Sequence, residues 1–170
     1  MLYTLNFSKK DLLPFCLIFL MVFSRLIPHP PNFTPIIAVA IMSGYFFSNF
    51  YFSLLVLLIS MTFSDLFFGF YNNMIFVYFA LILINYVFFK IKSIINFKNL
   101  FFISIIASSI FFIISNFGVW FFGPLYEKNL NGLILCYYMA IPFFTKTLTS
   151  TIIFSYTAYS LNYLLKRKIA

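Results

Sequence analysis

The sequence predicts an all-α integral membrane protein, a single transmembrane domain over residues 1–170 with six membrane-spanning helices. Of the 170 residues, 64% are hydrophobic and only 8% are charged, whereas about a quarter of the residues in a soluble domain are charged. The length accommodates about six spans of roughly 20 residues with short loops. The net charge of +8 comes from cations that flank apolar runs, which is typical of membrane topology signals and not of a nucleic-acid-binding face.

The first predicted span runs from Leu12 to Ile27, and Pro14 is tolerated because it falls in the first helical turn. This apolar run follows two lysines, as the apolar core of a signal peptide would. However, Arg25 and a cluster of prolines follow it, and not a small-x-small cleavage site. We therefore interpret the run as a retained membrane span.

A proline-rich hairpin is predicted between helices 1 and 2, in the stretch from Arg25 to Pro35 (RLIPHPPNFTP). Each proline pushes the residue before it towards extended geometry, so no helix passes through this stretch. Backbone of this kind survives near a bilayer only where protein or water satisfies its polar groups. We therefore expect the hairpin to form one wall of a site; the alternative is a rigid tight turn.

The next three spans are predicted from the following apolar runs. The second, from Thr34 to about Phe47, is short enough to be tilted or partly re-entrant. Its small residues Ala40 and Gly44 lie four apart on one face, which permits a close approach between helices. The third span covers about Tyr51 to Phe68, and the fourth covers Asn73 to Phe89.

The fifth span is predicted over Leu100 to Phe122, with serines at helical spacing that favour a helix-packing seam. These serines are Ser104, Ser108 and Ser115. The remaining apolar stretch is too long for one span at about 1.5 Å per residue. We therefore expect Pro142 to divide it into a short helix or hairpin, Leu133 to Ile141, and a sixth span, Lys146 to Lys166.

Six spans with short loops place both termini on the same side of the membrane. The cations on that side are Lys9, Lys10, Lys90, Lys92, Lys98, Lys166, Arg167 and Lys168. Because cytoplasmic loops carry the excess of Lys and Arg, both termini are predicted to be cytoplasmic, in a bacterial inner (cytoplasmic) membrane. The number of spans and the charge bias agree on this topology.

Polar residues gather at the outer ends of the predicted spans, while the inner halves are almost wholly apolar apart from Asn85 and scattered hydroxyls. A charged residue inside a span costs about 2.5 to 3.5 kcal/mol on insertion scales, so it usually faces a cavity or a partner. We therefore predict an outward-facing pocket for a small organic solute. The predicted substrate-binding residues are Arg25, His29, Asn32, Thr34, Asp65, Asn72, Asn116, Trp120 and Lys146.

Asp65 is the only acid inside a predicted span, and Arg25 and Lys146 lie at a matching depth. One of these cations is expected to pair with it, because an unpaired buried carboxylate would become neutral. The other cation would favour a ligand with a carboxylate, a phosphate or a polarisable carbonyl, held under Trp120 or Tyr126. The alternative is an interfacial ion-pair network that binds no ligand.

No catalytic motif indicates an enzyme. The sequence has no GxSxG, HExxH or Cys/His pair, and Glu127, in a predicted loop, does not complete a pair of acids for acid–base chemistry. No cofactor and no metal-ligand cluster is predicted. The two cysteines, Cys16 and Cys136, fall towards opposite faces and are interpreted as small hydrophobic residues.

Several motifs of the chain allow a comparison with known families. They are RLIPHPPNFTP followed by Ala38-Val39-Ala40 and Ser43-Gly44, Ser64-Asp65 with Gly69, Ser115-Asn116-Phe117 with Trp120, and Gly132 and Cys136-Tyr137 followed by Ile141-Pro142-Phe143-Phe144. With them the chain resembles a family of small uncharacterised bacterial multi-pass membrane proteins described as transport proteins. Its layout is similar to that of the substrate-capture (S) components of energy-coupling factor transporters. The resemblance implies six helices, an outward pocket for a vitamin-like metabolite, and association with a membrane coupling protein and ATPase subunits.

The positions of the small residues depart from the pattern of the S components. S components typically dock the coupling protein through small residues four apart on helix one, whereas Ala40 and Gly44 lie on helix two. The leading hypothesis is a substrate-binding subunit of a transporter. The alternatives are a non-transport scaffold of the cell-envelope machinery and a membrane enzyme that acts on lipid.

Overall fold

Six α-helices make up the described part of the chain. A computed structural model describes the backbone of residues 9–24 and 26–169 and the side chains of residues 12–24 and 26–165. The helices are α1 (Lys9–Ser24), α2 (Ile36–Phe46), α3 (Phe50–Phe68), α4 (Met74–Lys90), α5 (Leu100–Phe122) and α6 (Leu130–Ile169), with a 3-10 turn at Lys92–Ile94. These residues contain no strand, which confirms the all-α prediction.

Three of the described helices are long and apolar enough to cross a membrane. They are α3, α5 and the part of α6 from Leu130 to Leu165. The other apolar stretches, Leu12–Ser24, Ile36–Phe46 and Met74–Lys90, have only 10–17 residues, and a helix needs about 20 to cross the hydrocarbon core. The helix lengths therefore fit a membrane protein but do not by themselves give six complete spans.

The connection between α1 and α2 is non-helical, as its prolines require. Helix α1 ends at Ser24, three residues before the predicted end of the span, and Ser24 Oγ donates to Met21 O over 2.7 Å. The described residues 26–35 form turns, one of them closed by a hydrogen bond from Phe33 N to Pro30 O of 3.0 Å. These turns do not show the predicted proline-rich hairpin.

The short helix α2 lies at the centre of the described bundle, where it contacts each of the other five helices. Eight consecutive residues, Ile37–Gly44, are buried, as expected for a helix that is apolar on every side. The 11 residues of α2 rise only about 16 Å, roughly half of the hydrocarbon core of a bilayer. The prediction of a short second helix is therefore confirmed.

The glycine at position 44 lets α2 pack directly on the backbone of α4. A Cβ added to Gly44 would lie 2.7 Å from the carbonyl oxygen of Asn85 and 3.0 Å from the amide nitrogen of Phe89. Ala40, one turn earlier, has its carbonyl oxygen 3.3 Å from Asn85 Nδ2. The predicted close approach at Ala40 and Gly44 is therefore confirmed, and it takes place inside the bundle.

The side chain of Asn85 joins three helices. It is fully buried, and its Nδ2 lies 2.7 Å from Ser43 Oγ of α2 and 2.8 Å from Ser53 Oγ of α3. An amide nitrogen carries two hydrogens, so neighbouring helices use its full donor capacity. Because hydroxyl and amide groups inside a membrane protein hold helices together, Asn85 fixes α2 and α3 against α4.

Three serines of α5 face the interior. Ser104 and Ser108 are fully buried, and Ser115 is 8% exposed. Ser104 Oγ donates to Leu100 O and Ser115 Oγ donates to Phe111 O, both within the helix. Helix α5 packs against α4 and α6, and small side chains permit such close contacts. The burial of these serines confirms the predicted packing seam.

Helix α6 is a single helix of 40 residues, so the predicted division at Pro142 is wrong. Proline removes one backbone hydrogen bond, but in membrane helices neighbouring helices and hydroxyl side chains can satisfy the freed groups. Packing on α5 continues on both sides of Pro142: Tyr137 Oη donates to Ile113 O over 2.6 Å, and the rings of Phe112 and Phe144 lie 5.1 Å apart. These contacts stabilise α6 through the proline.

Candidate functional site

A cavity of about 470 Å³ lies at the end of the bundle where loops 26–35, 69–73 and 123–129 meet. Small-molecule sites typically have volumes of roughly 300–1,000 Å³. The polar residues that line the cavity are Asn32, Thr34, Tyr71, Asn73, Ser115, Asn116, Tyr126 and Thr147. Its apolar lining is Ile36, Val77, Phe111, Phe112, Val119, Leu125, Cys136, Met139, Ala140, Phe143 and Phe144.

The cavity brings together only part of the predicted site. Of the predicted residues, Asn32, Thr34, Asn116 and Tyr126 line it. The predicted residues His29, Asp65, Asn72, Trp120 and Lys146 are not part of its lining, and Arg25 lies outside the described residues. The cavity is lined instead by two direct sequence neighbours of predicted residues, Asn73 and Thr147.

Asp65 is fully buried near the end of α3. The hydroxyl of Tyr78, on the second turn of α4, donates to Asp65 Oδ2 over 2.9 Å. The sequence did not indicate this partner, although a tyrosine near the start of α4 lies at the same depth as the end of α3. Of the two cations predicted to pair with Asp65, Lys146 is exposed on α6, and Arg25 lies outside the described residues.

Trp120 holds the loop 123–129 and does not line the cavity. Its Nε1 donates to Glu127 O over 2.9 Å. Lys128 Nζ donates to Trp120 O and to Gly123 O, and it lies 5.7 Å from the centre of the Trp120 ring, a cation–π distance. The same loop carries Tyr126 into the cavity lining. Trp120 is therefore a positioning residue for the loop.

Replacing Trp120 by phenylalanine is expected to speed amide hydrogen exchange in residues 123–129 about 3- to 10-fold. The ring can keep its contact with Phe117, whose centroid is 5.5 Å away, but the bond to Glu127 O is lost, and such a bond contributes about 0.5–1.5 kcal/mol. Exchange in loop 69–73 of the same variant is the internal control. Equal acceleration in both loops would indicate general unfolding and contradict the positioning role.

Helix α6 positions the loop that precedes α2. Thr147 Oγ1 lies 3.3 Å from Asn32 O and 3.0 Å from Phe143 O, and Ser150 Oγ lies 3.0 Å from Thr34 O and 2.8 Å from Thr147 O. Each hydroxyl therefore shares its one hydrogen between this loop and a carbonyl of α6. Asn32 has a φ of 62°, a left-handed conformation that asparagine tolerates better than most residues. Sequence reasoning missed Thr147 and Ser150; the only signal was a hydroxyl-rich run in the sixth span.

Several polar groups on the cavity lining are available to a ligand. Asn116 Nδ2 donates to Phe112 O over 2.8 Å, which leaves its second amide hydrogen as a donor and its Oδ1 as an acceptor. The side chains of Asn32, Asn73 and Tyr126 make no hydrogen bond with any described residue. The amides of Asn32 and Asn73 therefore offer both donors and acceptors, and the phenol of Tyr126 offers one hydroxyl. The cavity can therefore exchange hydrogen bonds with a bound molecule without breaking those of the fold.

Comparison with known proteins gives a family but no function. No curated protein and no solved structure matches the chain. A family model described as a family of unknown function (DUF6580) matches residues 6–170, which include all six helices and every residue of the cavity lining. The match confirms the expected membership of an uncharacterised family, but its description adds nothing on transport or S components. The chain belongs to this family of unknown function, DUF6580.

Proposed function

We propose that this protein is a membrane subunit that binds a small organic solute at the outer ends of six transmembrane helices, as the S components of transporters do. The observation that carries the proposal is the cavity of about 470 Å³, lined by available amide and hydroxyl groups from several elements. Pockets that combine an apolar wall with a few convergent polar groups are typical of small-molecule sites.

In this proposal the non-helical segment 26–35 completes the membrane crossings that α1 and α2 are too short to make alone. Backbone of this kind needs polar partners at membrane depth, and the hydroxyls of Thr147 and Ser150 supply them to Asn32 O and Thr34 O. The opposite end of the bundle carries the loop with Lys92 and Lys98. The positive-inside rule then makes the cavity end the outer one.

The topology can be tested with reporter fusions. A reporter fused after Lys168 is expected to be active in the cytoplasm, and one inserted between Glu127 and Asn131 is expected to be active outside, in an inner membrane. The reason is the excess of Lys and Arg on the side of the termini. A C-terminal reporter that is active outside would rule out the six-span arrangement.

The apolar interior below the cavity supports a subunit that captures a solute and depends on separate energy-coupling subunits for its transport. The core is closed by α2, whose residues Ile37–Gly44 are buried, and Asp65 is the only charged residue among the buried described side chains. A proton-coupled pump requires a relay of ionisable groups across the membrane. We therefore include a membrane coupling protein with ATPase subunits in the proposal as the partners that drive transport.

A thermal-shift screen of the purified protein against vitamins and nucleobases tests the binding function. A ligand at 100 times its Kd adds about 2.7 kcal/mol to the stability of the state that binds it, which corresponds to roughly 5–10 °C in a protein of this size. We expect at least one compound to raise the melting temperature by such an amount. If none does, the solute-binding proposal fails.

Asn32 allows the binding role of a side chain to be separated from its role in the turn. Replacement by glycine keeps the positive φ of 62° accessible, whereas replacement by alanine adds about 1–2 kcal/mol of backbone strain. We expect Asn32→Gly to weaken solute binding about 10-fold with little change in melting temperature, and Asn32→Ala to lower both. If Asn32→Gly binds the solute with unchanged affinity, the Asn32 side chain does not contact the solute and the residue serves only to form the turn.

A further inference from the structure

The cavity lining carries no charge in the part of the chain that the structure describes. Its polar residues are amides, hydroxyls and phenols. Lys146 is exposed and precedes the lining residue Thr147, while Asp65 is buried against Tyr78. A bound carboxylate or phosphate would lose its hydration without gaining a cation from these residues, which is strongly unfavourable. This lining therefore favours an uncharged ligand over the anion that the sequence suggested.

Three asparagines from three different elements define the hydrogen-bonding character of the cavity. Asn32 lies in the loop before α2, Asn73 immediately precedes α4, and Asn116 lies on α5. Asn116 offers its Oδ1 as an acceptor and its second amide hydrogen as a donor, because only one hydrogen is used by Phe112 O, and the other two amides also offer donors and acceptors. A ligand that satisfies all three must itself present both donors and acceptors, as carboxamides, lactams and ureides do.

Aromatic rings form much of the remaining wall. Phe111 and Phe112 of α5 and Phe143 and Phe144 of α6 line the cavity, and the rings of Phe112 and Phe144 meet edge to face at 5.1 Å and 62°. Aromatic side chains pack favourably on the faces and edges of other rings. This wall fits a flat ring more closely than a flexible chain.

We propose that the cavity selects an uncharged ring compound that carries a carboxamide, lactam or ureide edge and discriminates against its carboxylate analogues. The ring lies against the phenylalanines, and its polar edge exchanges hydrogen bonds with Asn32, Asn73 and Asn116. This assignment rests on the proposed solute-binding function and narrows it to a class of ligand.

The proposed ligand class is tested with matched probes that have the same ring but different substituents. Nicotinamide carries the amide edge, nicotinate carries the same ring with a negative charge, and 3-methylpyridine has neither; uracil and its 6-carboxylate, orotate, form a second pair. Binding is measured on the purified full-length chain at pH 7.5. Binding is assigned to the cavity when it is lost in Val119→Phe, which fills part of the cavity from α5, or in Ala140→Leu, which fills part of it from α6.

We expect the amide-bearing probes to bind in the cavity at least 10-fold more tightly than their carboxylate or methyl counterparts. Cavity binding that favours nicotinate or orotate, or that is equal for 3-methylpyridine, would overturn the proposed ligand class while leaving solute binding intact. If no probe of any of the three classes binds in the cavity, the proposed ligand class fails, and the thermal-shift screen decides separately whether the solute-binding function fails with it.

Two adjacent asparagines provide a matched pair of variants. Asn73 lines the cavity, whereas the preceding residue, Asn72, does not and is exposed. Neither side chain makes a hydrogen bond to the described residues, so alanine at either position leaves the fold intact. We expect Asn73→Ala to weaken binding of the amide-bearing probe about 10-fold and Asn72→Ala to leave it unchanged. Equal losses in both variants would contradict recognition by the Asn73 amide.

Discussion

Replacing Gly44 by alanine is expected to destabilise the protein by about 3 kcal/mol, the upper end of the usual range for an overpacked core. The added Cβ would meet the carbonyl oxygen of Asn85 at 2.7 Å and the amide nitrogen of Phe89 at 3.0 Å. Both are backbone atoms, so no side-chain rotation relieves the contact, and α2 must move away from α4. Thermal unfolding of the purified variant measures the loss.

Gly69 provides the control for this substitution. A Cβ at Gly69 would meet no atom within 4 Å, but its φ is 85° and its ψ is 166°, so alanine there costs backbone strain alone, about 1–3 kcal/mol, in a turn that is exposed. We therefore expect Gly44→Ala to lower the melting temperature more than Gly69→Ala. The reverse order would show that α2 and α4 are not in direct backbone contact.

Replacing Asn85 by alanine is the second large effect, with an expected loss of about 2 kcal/mol. The side chain is fully buried between α2, α3 and α4. Hydrogen bonds between membrane helices contribute about 0.6 kcal/mol on average and at most about 1.7. The void left by the missing amide adds to this loss because close-packed helices relax only partially. The void and the lost hydrogen bonds therefore contribute comparably to the loss of unfolding free energy. Thermal unfolding of the variant measures the sum of the two contributions.

Asn131→Ala is the matched control, because Asn131 is exposed on the first turn of α6 and makes no side-chain hydrogen bond to the described residues. We expect its melting temperature to remain within about 1–2 °C of the wild type, since surface substitutions usually change stability by less than 0.5 kcal/mol. If Asn85→Ala behaves like Asn131→Ala, the buried amide does not hold the three helices together.

The helices and their order could be predicted from the sequence because both follow from where apolar runs start and stop. Hydropathy gave the short second helix, and the small residues Ala40 and Gly44 indicated its close packing, which the contact with Asn85 confirms. The division at Pro142 was wrong because proline is a strong helix breaker only where nothing replaces its lost hydrogen bond. Packing of α6 on α5 is a tertiary effect that the local sequence does not contain.

The cavity lining was predicted less well because the sequence gives the position of a residue along an apolar run but not the direction its side chain takes around the helix. Successive helical residues differ by about 100°. The structure accordingly places Thr147 on the cavity lining, and not Lys146, its neighbour. Asn72 and Asn73 lie in the turn before α4, where the sequence does not specify side-chain directions either. Asn32, Thr34 and Asn116 were predicted from depth alone, and they do line the cavity.

The role of Trp120 could not be predicted from the sequence for a different reason. An aromatic residue at the outer end of a span suggested a direct contact with a ligand. In the structure its indole instead donates to Glu127 O, and Lys128 contacts the same residue. The folding of the loop 123–129 onto the end of α5 decides the role of Trp120, and this arrangement depends on backbone groups that composition and spacing do not specify.

Calorimetric titration of the compound found by the screen into the wild type and two phenylalanine variants of α5 tests the central claim most directly. Val119 lines the cavity, whereas Ile113, on the same helix, is 57% exposed and does not line it. We expect one solute per chain for the wild type and for Ile113→Phe, with equal affinity, and at least a 10-fold loss of affinity for Val119→Phe. Wild-type affinity in Val119→Phe would contradict solute binding in this cavity.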